Sequence, residues 1–153
     1  MNKLLRKIYI SLALGVLISS AAAAQPVDYG LDHGVLSFEN GTSPTVPGRH
    51  SSVRVSGLHY KLGTHSLEWN WKRAGARLSI LGEIPYMKEN PDPKETSVST
   101  FVFWVYSDKP LEGSLRFSFL KGGRECCRFD YGLGFTGWRG AWVAFDRDMT
   151  GTP

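Results

Sequence analysis

Short runs in which apolar and polar residues alternate constrain this chain more than any other feature of its sequence. The clearest spans residues 67–72 (LEWNWK), in which every second side chain is apolar. A β-strand points successive side chains to opposite faces, so this run predicts a half-buried antiparallel strand with Leu67, Trp69 and Trp71 on the covered side. No segment shows the i, i+3, i+4, i+7 spacing of an amphipathic helix. The sequence therefore predicts an all-β fold.

Further runs of this kind lie between glycine, proline and aspartate residues that mark turns. About eight short strands in succession are typical of a β-sandwich or jelly roll. Residues 100–106 are apolar on both faces and predict a central strand that is covered on both sides. Residues 85–97 predict a long polar loop. The other candidate strands are residues 35–39, 53–55, 76–80, 114–120, 125–131 and 138–145.

The first 24 residues carry the pattern of a secretory signal peptide. Lys3, Arg6 and Lys7 form a positive start, an apolar run covers residues 8–18, and the alanines at 22–24 provide a cleavage site before Gln25. The apolar run falls short of the roughly 20 residues that span a bilayer, which argues against a membrane anchor. We expect a signal peptide at 1–24, one domain at 25–153, and export to the bacterial periplasm or the cell exterior.

Removal of this leader changes the charge of the chain. The full sequence has 18 Lys and Arg against 14 Asp and Glu, a formal charge of +4. Three of the cations belong to the leader, so the mature chain has 15 against 14, or +1. A net charge this small gives no reason to expect nucleic-acid binding. An anionic partner would have to be recognised by a local group of cations.

The two cysteines, Cys126 and Cys127, are adjacent in the sequence. In a regular strand their side chains point to opposite faces, which disfavours a bond between them. We therefore expect no disulfide, and a mature chain of about 130 residues is long enough to rely on its hydrophobic core instead.

Three motifs resemble those of chondroitin sulfate ABC lyases, a family of polysaccharide lyases. Residues 63–72 (GTHSLEWNWK) are similar to G-x-x-S-L-x-W-x-W-K, residues 103–113 (FWVYSDKPLEG) to F-W-x-Y-x-x-K-P-x-x-G, and residues 135–139 (FTGWR) to F-T-G-W-R. The resemblance covers residues 36–149 and implies the N-terminal domain of that family. It implies a jelly roll of the galactose-binding or carbohydrate-binding-module type, here without its last strands.

The resemblance also implies that the catalytic tyrosine, histidine, arginine and glutamate belong to a later helical toroid. The chain alone is therefore not expected to be an enzyme, whereas a longer parent would cleave chondroitin or dermatan sulfate by β-elimination. The residues themselves agree, because the histidines lack metal-binding spacing and Asp146 and Asp148 have no acid/base partner. Those histidines are His33, His50, His59 and His65.

Sugar binding uses flat aromatic faces with polar or charged side chains beside them. For most of the aromatic candidates we expect burial, since the inward positions of a sandwich hold large aromatic side chains. Trp104 and Tyr106 are the expected ligand contacts, because they lie opposite the apolar face of residues 101, 103 and 105. Alternatively, they form an interface with another domain. The remaining candidates are Trp69, Trp71, Trp138 and Trp142.

Three charged residues complete the predicted sites. Arg116 and Arg139 fall on polar faces of their strands, where they would bind sulfate groups or remain solvated, and they would form a basic stripe if their strands were neighbours. Related sandwich modules hold a structural cation through an acidic residue of the first strand, so the resemblance implies Glu39 as a metal ligand. Calcium would suit such an oxygen site. No other cofactor is expected.

Three functions remain open from the sequence. The first is a non-catalytic module that binds chondroitin or dermatan sulfate weakly. The second is a structural domain that docks on the catalytic domain of the same parent chain. The third is a truncated gene product that does not fold stably, because the loss of a core strand removes an amount of stability comparable to that of a whole domain.

Overall fold

The computed structural model describes residues 6–12, 38–39, 41, 45–84, 86 and 99–153, with the backbone alone described for residues 6–12. A four-residue helix, α1 (Phe145–Asp148), follows the ninth strand. The strands are β1 (Arg6–Leu12), β2 (Thr45–Pro47), β3 (Ser51–Ser56), β4 (Ser66–Trp71), β5 (Leu78–Ile80), β6 (Thr100–Ser107), β7 (Ser114–Lys121), β8 (Arg124–Gly132), β9 (Gly137–Ala144) and β10 (Thr150–Gly151).

Two antiparallel sheets face each other across the core. One has five strands in the order β3-β4-β1-β6-β9, the other has three in the order β10-β8-β7, and β2 pairs with β5 separately. Phe103 of β6 is fully buried, and its ring centroid lies 4.6 Å from that of Phe117 on β7 and 4.9 Å from that of Tyr131 on β8. The predicted all-β sandwich is confirmed.

Alternation along the strands selects the core residues. Leu67, Trp69 and Trp71 of β4 are buried, as the sequence predicts. Ser66 and Glu68 on the opposite face of β4 are also buried, so the prediction of a half-buried strand is wrong. From the opposite sheet, Leu115 of β7 is buried, and Phe117 and Phe119 pack against the core from partly buried positions. Large aromatic side chains at alternate positions thus fill the space between the two sheets.

Strand β1 comes from the segment that the sequence identifies as a signal peptide. It runs antiparallel to both neighbours, pairing Ile8 with Trp69 of β4 and Leu12 with Phe103 of β6. An apolar segment rich in β-branched residues suits a central strand as well as a leader, which explains why one stretch fits both descriptions. The structure describes the uncleaved chain, and the signal peptide stays a prediction.

Three predicted segments differ from the structure or lie partly outside its described residues. Residues 35–37 of the first candidate strand and residues 85 and 87–97 of the polar loop are outside the described part. Phe38 is buried and Glu39 lies in a turn, so neither belongs to a strand. The last predicted strand stops one residue early, because the Asp148 carboxylate accepts the Ala144 backbone N–H at 2.8 Å and the chain turns into α1.

A β-bulge corrects the expected geometry of the cysteines. Phe119 pairs with Cys127 and Leu120 with Glu125, which leaves Cys126 as the extra residue. A bulge breaks the strict alternation of side chains. The two sulfur atoms therefore lie 4.0 Å apart rather than on opposite faces, and both thiols are free. Burial, with a smaller contribution from Cys126, raises the pKa of the Cys127 thiol to about 11.

Candidate functional site

Four aromatic side chains gather on the outward face of the five-stranded sheet. Trp104 and Tyr106 of β6 lie opposite the buried residues of that strand, as predicted, and Trp138 of β9 is in register with Tyr106. Trp142 is in register with Val102, and 64% of its surface is exposed. We call these four residues the aromatic face. The expectation that Trp142 is a core residue is wrong.

The aromatic face consists of two edge-to-face pairs. The ring centroids of Trp104 and Trp142 lie 5.7 Å apart at 77°, and those of Tyr106 and Trp138 lie 5.4 Å apart at 60°. Aromatic rings prefer this geometry because the positive edge of one ring meets the negative face of the other. The pairs hold each other in place and leave ring surface exposed.

Gly140 of β9 makes room for this arrangement. It stands in register with Trp104, and a Cβ atom at this position would lie only 2.7 Å from the indole Nε1 of Trp104. Real Cβ atoms essentially never approach this closely. The absence of a side chain therefore lets the indole lie against the backbone of β9. The sequence offered a signal in Gly140, but its partner could not be known without the strand register.

Polar groups border the aromatic face at the end of β6. The imidazole of His59 stacks on Tyr106 with 3.9 Å between ring centroids, and its Nε2 lies 3.9 Å from the Asp108 carboxylate. Partial desolvation and the neighbouring Asp108 carboxylate raise the pKa of Tyr106 above its ordinary value. A hydrogen bond between the phenol and the Asp108 carboxylate contributes to this shift, so the phenol hydrogen is directed at Asp108.

A row of polar side chains follows the same outward face on β3 and β4. The Glu68 carboxylate, 1% exposed, accepts hydrogen bonds from the Arg54 guanidinium at 2.7 Å and from the Asn70 amide at 3.0 Å. Arg54 itself is 63% exposed. Strand β1 separates this row from β6, so the two groups lie about two strand spacings, or roughly 10 Å, apart. Stacking surfaces and hydrogen-bonding groups thus share one face.

The structure does not bring Arg116 and Arg139 together. Arg116 lies in the three-stranded sheet, where it binds both oxygens of Asp130 at 2.9 and 3.0 Å. Arg139 is in register with the buried Val105 on the inner side of β9, and its guanidinium lies 5.9 Å from the ring centroid of Tyr131. The expectation that Arg139 lies on a polar strand face is therefore wrong, because Ala141 and Val143 on the same side pack against the core. Strands β7 and β9 belong to different sheets, so the two arginines do not form the basic stripe that was expected if their strands were neighbours. Sulfate binding by either arginine stays a prediction.

Glu39 closes a loop in this structure. Its carboxylate accepts hydrogen bonds from the backbone N–H and hydroxyl of Thr64 and from the backbone N–H of His65 at 2.6–3.0 Å. Burial alone would raise the pKa of Glu39, but these hydrogen bonds outweigh burial and lower the pKa below its ordinary value. Gly63 leaves the space that the carboxylate fills.

This donor set does not suit calcium, which needs six to eight oxygen ligands. The oxygens of Glu39 face N–H and O–H donors rather than further oxygen ligands. Among the residues with described side chains, no group of three or more His, Cys, Asp or Glu could hold a metal ion. The structural calcium ion stays a prediction.

Among the residues that the structure describes, no helix has the length and apolar character needed to cross a membrane.

Comparison with known proteins identifies the family. Residues 32–153 match the family described as "Lyase, N terminal". The chain is 42% identical to a chondroitin sulfate ABC exolyase of Bacteroides thetaiotaomicron over 80% of its own length and 12% of that protein. It is 34% identical to a chondroitin sulfate ABC exolyase of Proteus vulgaris over 67% of its length and 10% of that protein.

A chondroitin sulfate ABC endolyase of Proteus vulgaris is 27% identical over 66% of the chain and 10% of that protein. The chain thus spans 10 to 12% of the length of these relatives. Its strand content and sandwich architecture agree with the fold that the three sequence motifs imply. The chain belongs to the lyase N-terminal family, and it corresponds to the N-terminal domain of chondroitin sulfate ABC lyases.

Proposed function

We propose that this chain is a non-catalytic, carbohydrate-binding module of an exported chondroitin sulfate ABC lyase. One observation carries the proposal: four aromatic side chains lie together on an outward face, and Trp142 is 64% exposed. The apolar side of a pyranose ring packs against such rings, and the exposed Arg54 guanidinium on β3 can donate hydrogen bonds to hydroxyls. Clustered exposed apolar surface of this kind is typical of interaction sites.

The ligand class follows from the relatives, which are named for chondroitin sulfate. In this proposal the module holds chondroitin or dermatan sulfate near a catalytic domain, and β-elimination takes place in another part of a longer protein. An open face encloses less of a ligand than a cleft does, so we expect weak binding. The leader would direct the protein to the periplasm or the cell exterior, where such polymers are encountered.

Affinity electrophoresis through a gel that contains chondroitin sulfate tests this proposal. We expect the chain to be retarded, and Trp142→Ala to weaken the retardation about three- to tenfold in apparent Kd, the range that one aromatic contact supplies. Leu120→Ala is the matched control, because Leu120 is 66% exposed and lies on β7 in the other sheet. Unchanged mobility of the unmodified chain would overturn the proposal.

A structural role in domain docking is the second candidate. It is favoured by the half-buried state of Trp104 and Tyr106 and by the small share of its relatives that the chain covers. Oxidative labelling of Trp142 separates the two functions. If Trp142 is protected in a longer protein that contains this chain and reactive in residues 1–153 alone, the aromatic face is an interface between domains. Equal labelling in both proteins excludes docking at this face.

A further inference from the structure

Two connecting loops meet at one end of the five-stranded sheet and enclose a hollow. Residues 48–50 join β2 to β3, and residues 72–77 join β4 to β5. Strand pairing fixes both ends of each loop. Ser51 at the start of β3 is in register with Trp71 at the end of β4, and Pro47 at the end of β2 is in register with Leu78 at the start of β5. The hollow has a volume of about 280 Å³ and is lined by residues 48–50 and 73–77. We call it the basic hollow.

Backbone hydrogen bonds fix the two loops to each other. The Gly48 N–H donates to the Arg77 carbonyl at 2.8 Å, and the Lys72 N–H donates to the His50 carbonyl at 3.0 Å. The single hydroxyl hydrogen of Ser51 is shared between the carbonyls of Gly48 and Arg77, whose oxygens lie 3.0 and 3.2 Å from Oγ. The backbone of the hollow is therefore built before any ligand arrives, which lowers the entropic cost of binding.

The side chains around the hollow are cationic. Arg49, Arg73 and Arg77 line it, His50 lies beside them, and Lys72 precedes Arg73 in the second loop. The four Lys and Arg residues are exposed. Among the side chains that the structure describes, no carboxylate lies within ion-pair distance of these four, in contrast to Arg54, Arg116 and Arg128.

The charge pattern of the sequence isolates this region. Residues 41–82 contain six Lys and Arg and a single acid, Glu68, a formal charge of +5. The mature chain as a whole carries 15 cations against 14 acids, so the rest of it has 9 against 13, or −4. The one acid in the segment is already bound by Arg54. Of the six cations, Arg49, Lys72, Arg73 and Arg77 lie in the two loops at the hollow, whereas Lys61 lies in the β3–β4 connection at the other end of these strands. The four loop cations attract an anion to the end of the sheet that carries the hollow.

We propose that the basic hollow binds a sulfate group of the polysaccharide chain, a subsite separate from the aromatic face. This inference rests on the proposed function, and it adds a site at which the protein would distinguish sulfated from unsulfated sugars. Guanidinium groups recognise tetrahedral oxyanions through paired, charge-assisted hydrogen bonds, and three arginine residues line this space. Gly48, Ala74, Gly75 and Ala76 also contribute to the lining.

A sulfated polysaccharide fits this surface better than a nucleic acid does. Proteins that bind duplex DNA neutralise several phosphates in succession, with roughly 6–10 contacts along a groove or helix. Here the cations converge on one hollow, and the remainder of the mature chain is net acidic. Such a surface suits a polymer that places one anionic group in the hollow and makes its other contacts through hydroxyls and the apolar sides of its sugar rings.

Charge-matched variants test the proposal in gels that contain chondroitin sulfate or its chemically desulfated form. The test variant is Arg49→Gln/Arg73→Gln. The control is Lys121→Gln/Arg124→Gln, which removes the same charge from the β7–β8 turn. We expect the test variant to bind the sulfated polymer about tenfold or more weakly, since each lost guanidinium contact accounts for roughly three- to tenfold. Binding of the desulfated polymer should change less than twofold.

The outcomes separate this inference from the proposed function. If the test variant binds the sulfated polymer as the control does, the hollow is not the sulfate site, although the aromatic face can still bind sugar. If the chain binds neither polymer, both proposals fail. If a DNA duplex displaces chondroitin sulfate from the unmodified chain at equal charge concentration, the hollow is a general polyanion site and the assignment to sulfated polysaccharide is wrong. Arg49→Lys/Arg73→Lys should recover only part of the affinity, because lysine keeps the charge and loses the paired hydrogen bonds.

Discussion

Deletion of residues 1–24 removes the central strand of the five-stranded sheet and should abolish cooperative folding. Strand β1 is in register with five residues of β4 and four of β6. An antiparallel ladder contains about one backbone hydrogen bond per register pair, and each contributes roughly 0.5–1.5 kcal/mol. The loss is thus on the order of 5–13 kcal/mol, comparable to the total free energy of unfolding of a domain, about 5–15 kcal/mol.

Thermal melts followed by circular dichroism compare residues 1–153 with residues 25–153. We expect a cooperative transition for the longer chain and a broad or absent one for the shorter. A synthetic peptide of residues 6–12 should restore the transition, whereas the same peptide with Ile8→Asp and Ile10→Asp should not. If residues 25–153 alone melt cooperatively at the temperature of the full chain, β1 is dispensable and this energetic account is wrong.

The result also bears on export. A signal peptidase would remove the residues that form β1, so a cleaved protein needs another strand between β4 and β6 or must pair these two strands directly. They run parallel to each other, because both are antiparallel to β1. A strand with apolar residues at alternate positions would complete the sheet in the same register.

Three further predictions concern single sites. Gly140→Ala should destabilise the fold by about 1–3 kcal/mol, because the added methyl group would overpack against the Trp104 indole, and it should shift tryptophan fluorescence. Gly132→Ala should do neither, because the space around this position is open. In the native protein at pH 8, alkylation should modify Cys126 and spare Cys127, whose pKa of about 11 leaves little thiolate, and equal rates would contradict this. The lowered pKa of Glu39 means that its ionised form adds stability above the ordinary carboxyl pKa of 4.5, and that this stability is lost as pH falls through the folded-state pKa. Denaturant unfolding should therefore show Glu39→Gln less stable by about 1 kcal/mol at pH 7, and this difference should shrink as pH falls below 4.5.

Local pattern in the sequence predicts the core of this fold well. The alternation of apolar and polar residues identifies the core-facing side chains of β4 and β7, because successive side chains of a strand point to opposite faces of the sheet. The order of strands does not follow from such patterns, because pairing joins residues that are distant in the sequence. That is why the sequence could not show that Arg116 and Arg139 belong to different sheets.

The candidate site was predictable in part. The position of Trp104 and Tyr106 opposite the core follows from alternation, whereas the exposure of Trp142 depends on its register with Val102. The basic hollow joins residues more than twenty positions apart in the sequence, and only strand pairing brings them together. Its sequence signal is the scarcity of acids between residues 41 and 82, which the net charge of the whole chain conceals.

In the proposed function, the outward aromatic face binds the polysaccharide. A titration with chondroitin sulfate oligosaccharides, followed through the indole N–H resonances of the five tryptophans by two-dimensional ¹⁵N NMR, tests this binding. We predict that the resonances of Trp104 and Trp142 shift as the oligosaccharide is added, while those of the buried Trp69 and Trp71 stay in place. Resonances that do not move at saturating oligosaccharide, or shifts confined to the buried pair, would contradict the account.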